Sequence, residues 1–387
     1  MEIINAVLAA IGKVVGLIVL LGAFFTGTIS VTAPPPAQQV ATDSTSSPQA
    51  TTAASPQATT SVAKPEEKNG LASPARPARD ALDEENRGPF SPPVLSSPVS
   101  SVPTKSQEQI NDETRAALVN VLCTPTVGIS GISGSGVIVD SRGVILTNAH
   151  IGQYFLLRDY KINNNITCVV RVGSPAQERY TATLLYLPPS WIAANALQLK
   201  SSQATGTGEN DYAFLLITGR TDPAAALPSS FDKIEMDRGY ADIGELMLLA
   251  AYPAGFLGGE TVQKNLYISS AIAYVTQLFT FKGDKNVDLF SIGGTVVSQG
   301  GSSGGAVVRL RDGKLAGIIT TSTTAASTEN RDLRAVSLAH IDDSLAAHGQ
   351  SGIVGLLVGD LAAKVAAFNT TVAPGLTAAL EAALKGN

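Results

Sequence analysis

Gln299-Gly300-Gly301-Ser302-Ser303-Gly304-Gly305-Ala306 sets two glycines on each side of a serine pair. Glycine lets the backbone turn tightly there and brings its N–H groups close to a bound carbonyl, which bulkier residues would block. The chain then runs Ala306-Val307-Val308-Arg309-Leu310, Arg311-Asp312-Gly313-Lys314, Leu315-Ala316-Gly317-Ile318-Ile319. Two apolar runs joined through Asp-Gly are the pattern of a β-hairpin. A serine in such a loop is a candidate nucleophile, and Ser303 is the one singled out. Serines in Gly-rich runs are also ordinary turns, so the reading depends on what stands upstream.

Two runs upstream supply the missing chemistry. Val144-Ile145-Leu146-Thr147-Asn148-Ala149-His150 is apolar and β-rich and ends on a histidine, and Asn210-Asp211-Tyr212-Ala213-Phe214-Leu215-Leu216-Ile217 opens a second such run on an aspartate. A serine hydroxyl is a poor nucleophile at neutral pH and needs a base for its proton. His150 is the right type, and Asp211 would hold the ring and stabilise the imidazolium. Charge developing on the carbonyl oxygen needs preorganised donors, for which the backbone N–H groups of Gly301 and Ser303 are candidates. Taken singly, a histidine ending a strand and an Asn-Asp before one are commonly a rim residue and a turn. The order His150, Asp211, Ser303 makes the combination specific.

In that order T-N-A-H, N-D-Y-A-F-L-L and G-S-S-G-G resemble the three catalytic signatures of the chymotrypsin-like serine proteases. The stretch Gly134-Ser135-Gly136-Val137-Ile138-Val139-Asp140 through His150 is most similar to the bacterial HtrA-type branch, and the resemblance covers roughly Asn111 to Leu345. It implies two packed antiparallel β-barrels with the active site in the cleft between them, His150 and Asp211 from the first and Ser303 from the second. It implies a serine endopeptidase acting on proteins or peptides through an acyl-enzyme, with no cofactor. It also puts Val297 at the base of the primary specificity pocket and Thr320, Thr321 and Ser322 along its wall, which favours a small or medium apolar residue before the scissile bond. Ser302 stands where many relatives have aspartate, so activation by a newly freed N-terminal amine is not expected. Tyr252-Pro253-Ala254-Gly255 resembles the Pro-Gly loop of HtrA-type proteases and reads equally as a plain turn.

The motif G-x-S-x-G also fits the α/β-hydrolase elbow, which would make the chain an esterase. That elbow demands a helix after the serine, and the hairpin argues against it, although His340, His348 and Asp332 do follow Ser303. A binding protein on the same fold, with a triad no longer competent, is the other alternative. Strand patterns recur at Gly128–Asp140, Val144–Thr147, Cys168–Val172, Tyr180–Leu187, Tyr212–Ile217, Glu245–Ala251, Leu266–Val275, Leu289–Ile292, Ala306–Leu310, Leu315–Thr320 and Leu333–Leu338, with a lead-in helix over Gln109–Leu122. Many short strands with Gly, Pro and Asn between them argue an all-β protein of barrel or sandwich class.

With 387 residues, 44% of them hydrophobic, the chain can bury a large core, and a net charge of −5 without a Lys/Arg cluster argues against nucleic acid. Val14–Ala33 is a run of 20 uncharged, mostly apolar residues preceded by Lys13, the length and flank of a membrane span with the N-terminus in the cytoplasm. A cleaved signal peptide is the alternative. Residues 34–106, rich in Pro, Ser, Thr, Ala and Gln, read as a disordered tether. A protease domain follows over 107–342, its barrels about 107–235 and 236–342. The tail 343–387 reads as helices over Ile353–Phe368 and Leu376–Leu384 that pack against the second barrel, and it is shorter than the peptide-binding module HtrA-type proteins append. Trp191 is expected as a packing residue. Cys123 and Cys168 are the only cysteines, a disulfide in an oxidising compartment or two buried thiols, and with three histidines no metal site is supported.

Overall fold

A computed structural model describes residues 105–386 apart from 201–205, 284–285 and 323–330. The membrane-span and tether readings before Lys105 lie outside the described residues. Among the described residues, no helix is long and apolar enough to cross a membrane.

Helix α1 (Gln107–Ala117) begins at a capping box: the Ser106 hydroxyl accepts from the Gln109 N–H while the Gln109 side chain accepts from the Ser106 N–H. It stops earlier than the sequence suggests. Leu118-Val119-Asn120-Val121-Leu122 leaves it as strand β1 (Leu118–Pro125), because a run buried on both faces, with two β-branched valines, gains more by pairing with two neighbouring strands than by adding helical turns. Strands β1, β2 (Ile132–Asp140), β3 (Val144–Thr147), β4 (Ile166–Val172), β5 (Gln177–Tyr186) and β6 (Ala213–Arg220) form a closed barrel in the order β1-β2-β3-β6-β5-β4. Cys123 and Cys168 face each other across the β1–β4 ladder and are joined by a disulfide. Closing a loop of 45 residues stabilises the fold by on the order of 4 kcal/mol in the chain-entropy account.

Three helical pieces decorate this barrel: α2 (Ala149–Leu156), α3 (Pro189–Asn195) and a 3-10 turn at Ala196–Lys200. Trp191, on α3, is buried as a packing residue.

The second half is one seven-stranded antiparallel sheet. Its strands are β7 (Leu246–Ala251), β8 (Ser269–Tyr274), β9 (Gln277–Phe279), β10 (Leu289–Gly293), β11 (Ala306–Arg309), β12 (Leu315–Ser322) and β13 (Leu333–Ser337), in the order β8-β7-β11-β12-β13-β10-β9. Between β7 and β8 lies helix α4 (Gly259–Lys264). The two edge strands, β8 and β9, are consecutive pieces of one stretch separated by Val275 and Thr276. Val275 still bonds to Gly244 and Glu245 beside β7, whereas the Thr276 N–H donates to the Ser291 carbonyl on β10. The partner therefore changes between adjacent residues, and the sheet must curl until its ends meet. This is how the second barrel closes.

The C-terminal segment corrects the sequence expectation. Helix α5 (Leu338–Ala347) starts directly after β13, and α6 (Gly352–Leu357), α7 (Leu361–Thr371) and α8 (Ala373–Lys385) follow, so the span from Ile353 is broken at Val358–Asp360. Helices α7 and α8 dock on the first barrel, not the second. The Phe368 ring packs at a tilt against Tyr186, centroids 5.8 Å apart, the Asn369 amide donates to the Leu184 carbonyl at 2.8 Å, and the Thr377 hydroxyl donates to the Leu156 carbonyl at 3.0 Å.

Candidate active site

Strand pairing brings the histidine and the aspartate together. In the β3–β6 ladder Thr147 is opposite Ala213, so the residues just past the end of β3 meet those just before β6. His150 lies in the first turn of α2, where its Nδ1 is 2.9 Å from Asp211 Oδ2 and its backbone N–H donates to Asp211 Oδ1 at 3.0 Å. The Asn148 amide donates to the Asp211 carbonyl at 2.8 Å and fixes the same turn. Asp211 is buried, while about a fifth (22%) of the His150 side chain is exposed.

Burial works against a charged His150 ring, but the Asp211 charge and hydrogen bond outweigh it and hold the ring's pKa above the ordinary imidazole value. Burial likewise opposes the Asp211 carboxylate. The His150 charge, two hydrogen bonds from His150 and one from Thr320 outweigh it and keep the carboxyl below its usual range. The Nδ1 contact fixes which imidazole nitrogen faces the carboxylate, so Nε2 is the nitrogen that could accept a proton.

The serine loop is clasped from the first barrel. The Ser135 N–H, on β2, donates to the Ser303 carbonyl at 2.7 Å, and the Ser135 hydroxyl donates to the Gly301 carbonyl at 2.8 Å while accepting from the Tyr252 N–H. On the far side Gly304 donates to Ile319 at 2.8 Å, prolonging the β11–β12 ladder past the end of β11. No helix follows Ser303; β11 does, and the α/β-hydrolase elbow is thereby excluded. Gly304 has φ +81°, and a Cβ there would lie 2.0 Å from the Ser135 carbonyl oxygen, so only glycine lets the two barrels approach this closely. Among the described residues the Ser303 hydroxyl makes no hydrogen bond to His150. Contacts of this kind tighten when substrate binds.

Gly301 has φ +90°, and the Gly300 carbonyl accepts from the Ala254 N–H at 2.7 Å. The Gly300–Gly301 peptide is trans, so tying its carbonyl to Ala254 turns the Gly301 N–H the opposite way. The Tyr252-Pro253-Ala254-Gly255 loop is thus more than a plain turn: it packs on the serine loop, and a Cβ on Gly255 would lie 2.9 Å from Gly300 N.

The four residues assigned to the specificity pocket are placed differently from one another. Val297 is wholly buried in the apolar core of the second sheet, among residues such as Met247, Leu249 and Phe290, with no surface left for a substrate to touch. The Thr320 side chain is turned to Asp211, donating to Oδ2 at 2.8 Å. Strand β12 continues through Thr321 and Ser322, whose side chains lie outside the described residues. Sequence reasoning missed Ser135, Asn148 and the true partner of Thr320. Ser135 and Asn148 lie inside the G-S-G and T-N-A-H signatures, where a polar residue between apolar strand positions was the available signal.

The closed first barrel and the curled second sheet, with His150, Asp211 and Ser303 on their loops, fit the chymotrypsin-like fold. Residues 134–318 match the family model of the trypsin-like peptidase domain. By that domain the chain is a serine endopeptidase, as the three signatures implied. Similar solved structures include a serine endoprotease from Yersinia pestis, at 20% identity and a TM-score of 0.39, covering 63% of this chain and 68% of that one. The HtrA-type protease AlgW, solved with a tripeptide, is similar at 19% identity and a TM-score of 0.39, covering 63% of this chain and 65% of that one. No curated protein matches the chain in sequence.

Proposed function

We propose that this serine endopeptidase works through His150, Asp211 and Ser303. Ser303 Oγ attacks the scissile carbonyl as His150 takes its proton, the amine leaves with that proton to give an acyl-enzyme, and water, deprotonated by His150, releases the acyl group. Asp211 steadies the imidazolium in both halves. The N–H groups of Gly301 and Ser303 receive the oxyanion, a role supported by the Ala254 bond that turns the Gly301 N–H away from its carbonyl's partner. The single observation that carries the proposal is the two-point contact of His150 with Asp211, at 2.9 and 3.0 Å. It fixes the imidazole tautomer that a general base requires.

Proteins or peptides are the substrates in this proposal. A small or medium apolar residue before the scissile bond is supported by the absence of an acidic residue among Thr320, Thr321 and Ser322. Strong cleavage after arginine in a peptide panel would sink that preference. The catalytic unit works outside the cytoplasm, tethered through Val14–Ala33. The Cys123–Cys168 disulfide supports this compartment, and fractionation of cells with protease-accessibility mapping tests it.

The decisive experiment is labelling of the full chain with a fluorophosphonate probe beside Ser303→Ala and His150→Ala. Labelling lost in both variants, with casein degraded by the wild type, is the expected result. A folded wild type that neither labels nor degrades casein refutes the triad.

A further inference from the structure

Asp211 sits between two residues that are both tied to one side chain of a C-terminal helix. The Ser344 hydroxyl, on α5, donates to Asn210 Oδ1 at 2.7 Å and accepts from the Tyr212 hydroxyl at 2.9 Å. Burial pushes the Tyr212 phenol far above its ordinary pKa, so it remains the donor. Asn210 has φ +57°, a left-handed conformation that side chains other than glycine's adopt at a cost and that surrounding contacts must hold. One turn earlier on α5, His340 is buried with its Nδ1 2.8 Å from Asp288 Oδ1 and its ring edge against Phe281, and its Nε2 faces the Asn210 N–H at 3.5 Å.

Helix α5 is itself anchored at its start. The Ser337 hydroxyl accepts from the His340 N–H at 3.0 Å and donates to the Val287 carbonyl at 2.6 Å, while the Ser337 N–H donates to the Asp288 carbonyl at 2.9 Å. The charged or titratable groups facing this turn are therefore Asp288, His340, Tyr212 and Tyr186, whose ring stacks on Tyr212, together with His150 beyond Asp211. The Ser337–Asp288 bond prolongs the β10–β13 ladder, whereas the Ser344 and His340 contacts lead from α5 to the residues before and after Asp211.

We infer that Ser344, with His340 behind it, is a positioning residue: α5 grips Asn210 and Tyr212 and so holds the Asp211 carboxylate in the plane of the His150 ring. The inference rests on the proposed triad for its catalytic meaning, but its geometric content can be measured without turnover. The chain has three histidines, so His150 can be followed by NMR titration and assigned from the signal missing in His150→Ala.

In full-length Ser344→Ala the His150 titration is expected to move down by about half a unit, a fraction of the 1–3 units that an adjacent opposite charge supplies. Ser344→Thr, which keeps the hydroxyl, is expected to titrate with the wild type. Asn210→Gly, which keeps the left-handed backbone accessible but deletes the amide, is expected to move in the same direction and serves if Ser344→Ala does not fold. On a peptide substrate kcat should fall roughly ten-fold with little change in KM, well inside the hundred-fold that small misplacements can cost. An unmoved His150 titration in folded Ser344→Ala or Asn210→Gly overturns the inference, whether or not kcat falls. A moved titration in a protein that never cleaves peptide supports the inference and removes the triad proposal instead.

Discussion

Thr320→Val separates two roles that sequence and structure give to one residue. As a wall of the specificity pocket, Thr320 would govern which side chain is accepted. As the donor to Asp211 Oδ2 at 2.8 Å, it shares that oxygen with His150 Nδ1 and supports the carboxylate from the second barrel. Valine keeps the shape and deletes the hydroxyl, so the loss is that of a hydrogen bond to a buried charge, about 1.5–3 kcal/mol. If the whole of it is felt in the transition state, kcat falls roughly 10- to 150-fold, at about 1.36 kcal/mol per factor of ten. Whatever part is felt in the resting fold appears as lost stability, with a sign that can be worked out. The Asp211 carboxyl is held below its usual range in the fold, so its contribution is present above the unfolded value near about 3.9 and is lost as pH falls through the folded value. The stability difference between wild type and Thr320→Val should therefore be largest at neutral pH and shrink in acid. The assays are denaturant unfolding across that range and kcat and KM over a panel of peptides differing before the scissile bond. A variant with unchanged stability and unchanged kcat on its best substrate, but an altered order of preference, would refute the argument and restore the pocket-wall role.

The remaining predictions follow from single contacts. The rising limb of the kcat/KM profile should lie above about 6.5, because the base must be neutral and Asp211 raises the pKa of His150; Asp211→Asn should move the limb down and cost up to about four orders of magnitude in kcat. The stability that His150 draws from this pairing is present below its unfolded value and lost as pH rises through the folded one. Replacing Cys123 and Cys168 together by serine should lower the unfolding free energy by about 4 kcal/mol in denaturant titration, without changing the activity of the fraction that remains folded. Phe368→Ala, which removes the ring packed against Tyr186, should release hydrogen-exchange protection in α7 while β3 and β6 keep theirs; a tail that stays protected would mean the docking rests elsewhere.

What was legible in the sequence is what a short run can specify by itself. The strand ending at Thr147 and the strand opening at Ala213 are each apolar and β-rich, so His150 and Asp211 could be placed at strand ends before any pairing was known, and the Asp312-Gly313 turn argued against a helix after Ser303. The helix-to-strand change at Leu118 was not legible, because Leu118-Val119-Asn120-Val121-Leu122 carries apolar residues that suit either period and only the pairing with β2 and β4 decides. The docking of α7 on the first barrel was not legible either, since an apolar stripe on a helix names no partner.

Thr320 shows the limit most sharply. A buried carboxylate must be compensated by donors on several sides, and Asp211 takes three from two elements, α2 and β12. Two come from His150, 61 residues away in sequence, and the third from Thr320, 109 residues away. The first two follow from one strand pair, β3 with β6. The third follows from the register of β11 on β12, from the Gly304–Ile319 bond that prolongs it, and from the Ser135 clasp that brings the barrels together at Gly304. A threonine in the run Ile318-Ile319-Thr320 carries no mark of that geometry. The aspartate does, because once it is known to be buried and charged its remaining oxygen lone pairs require a donor, and the residue that supplies one is found by asking which strand faces it.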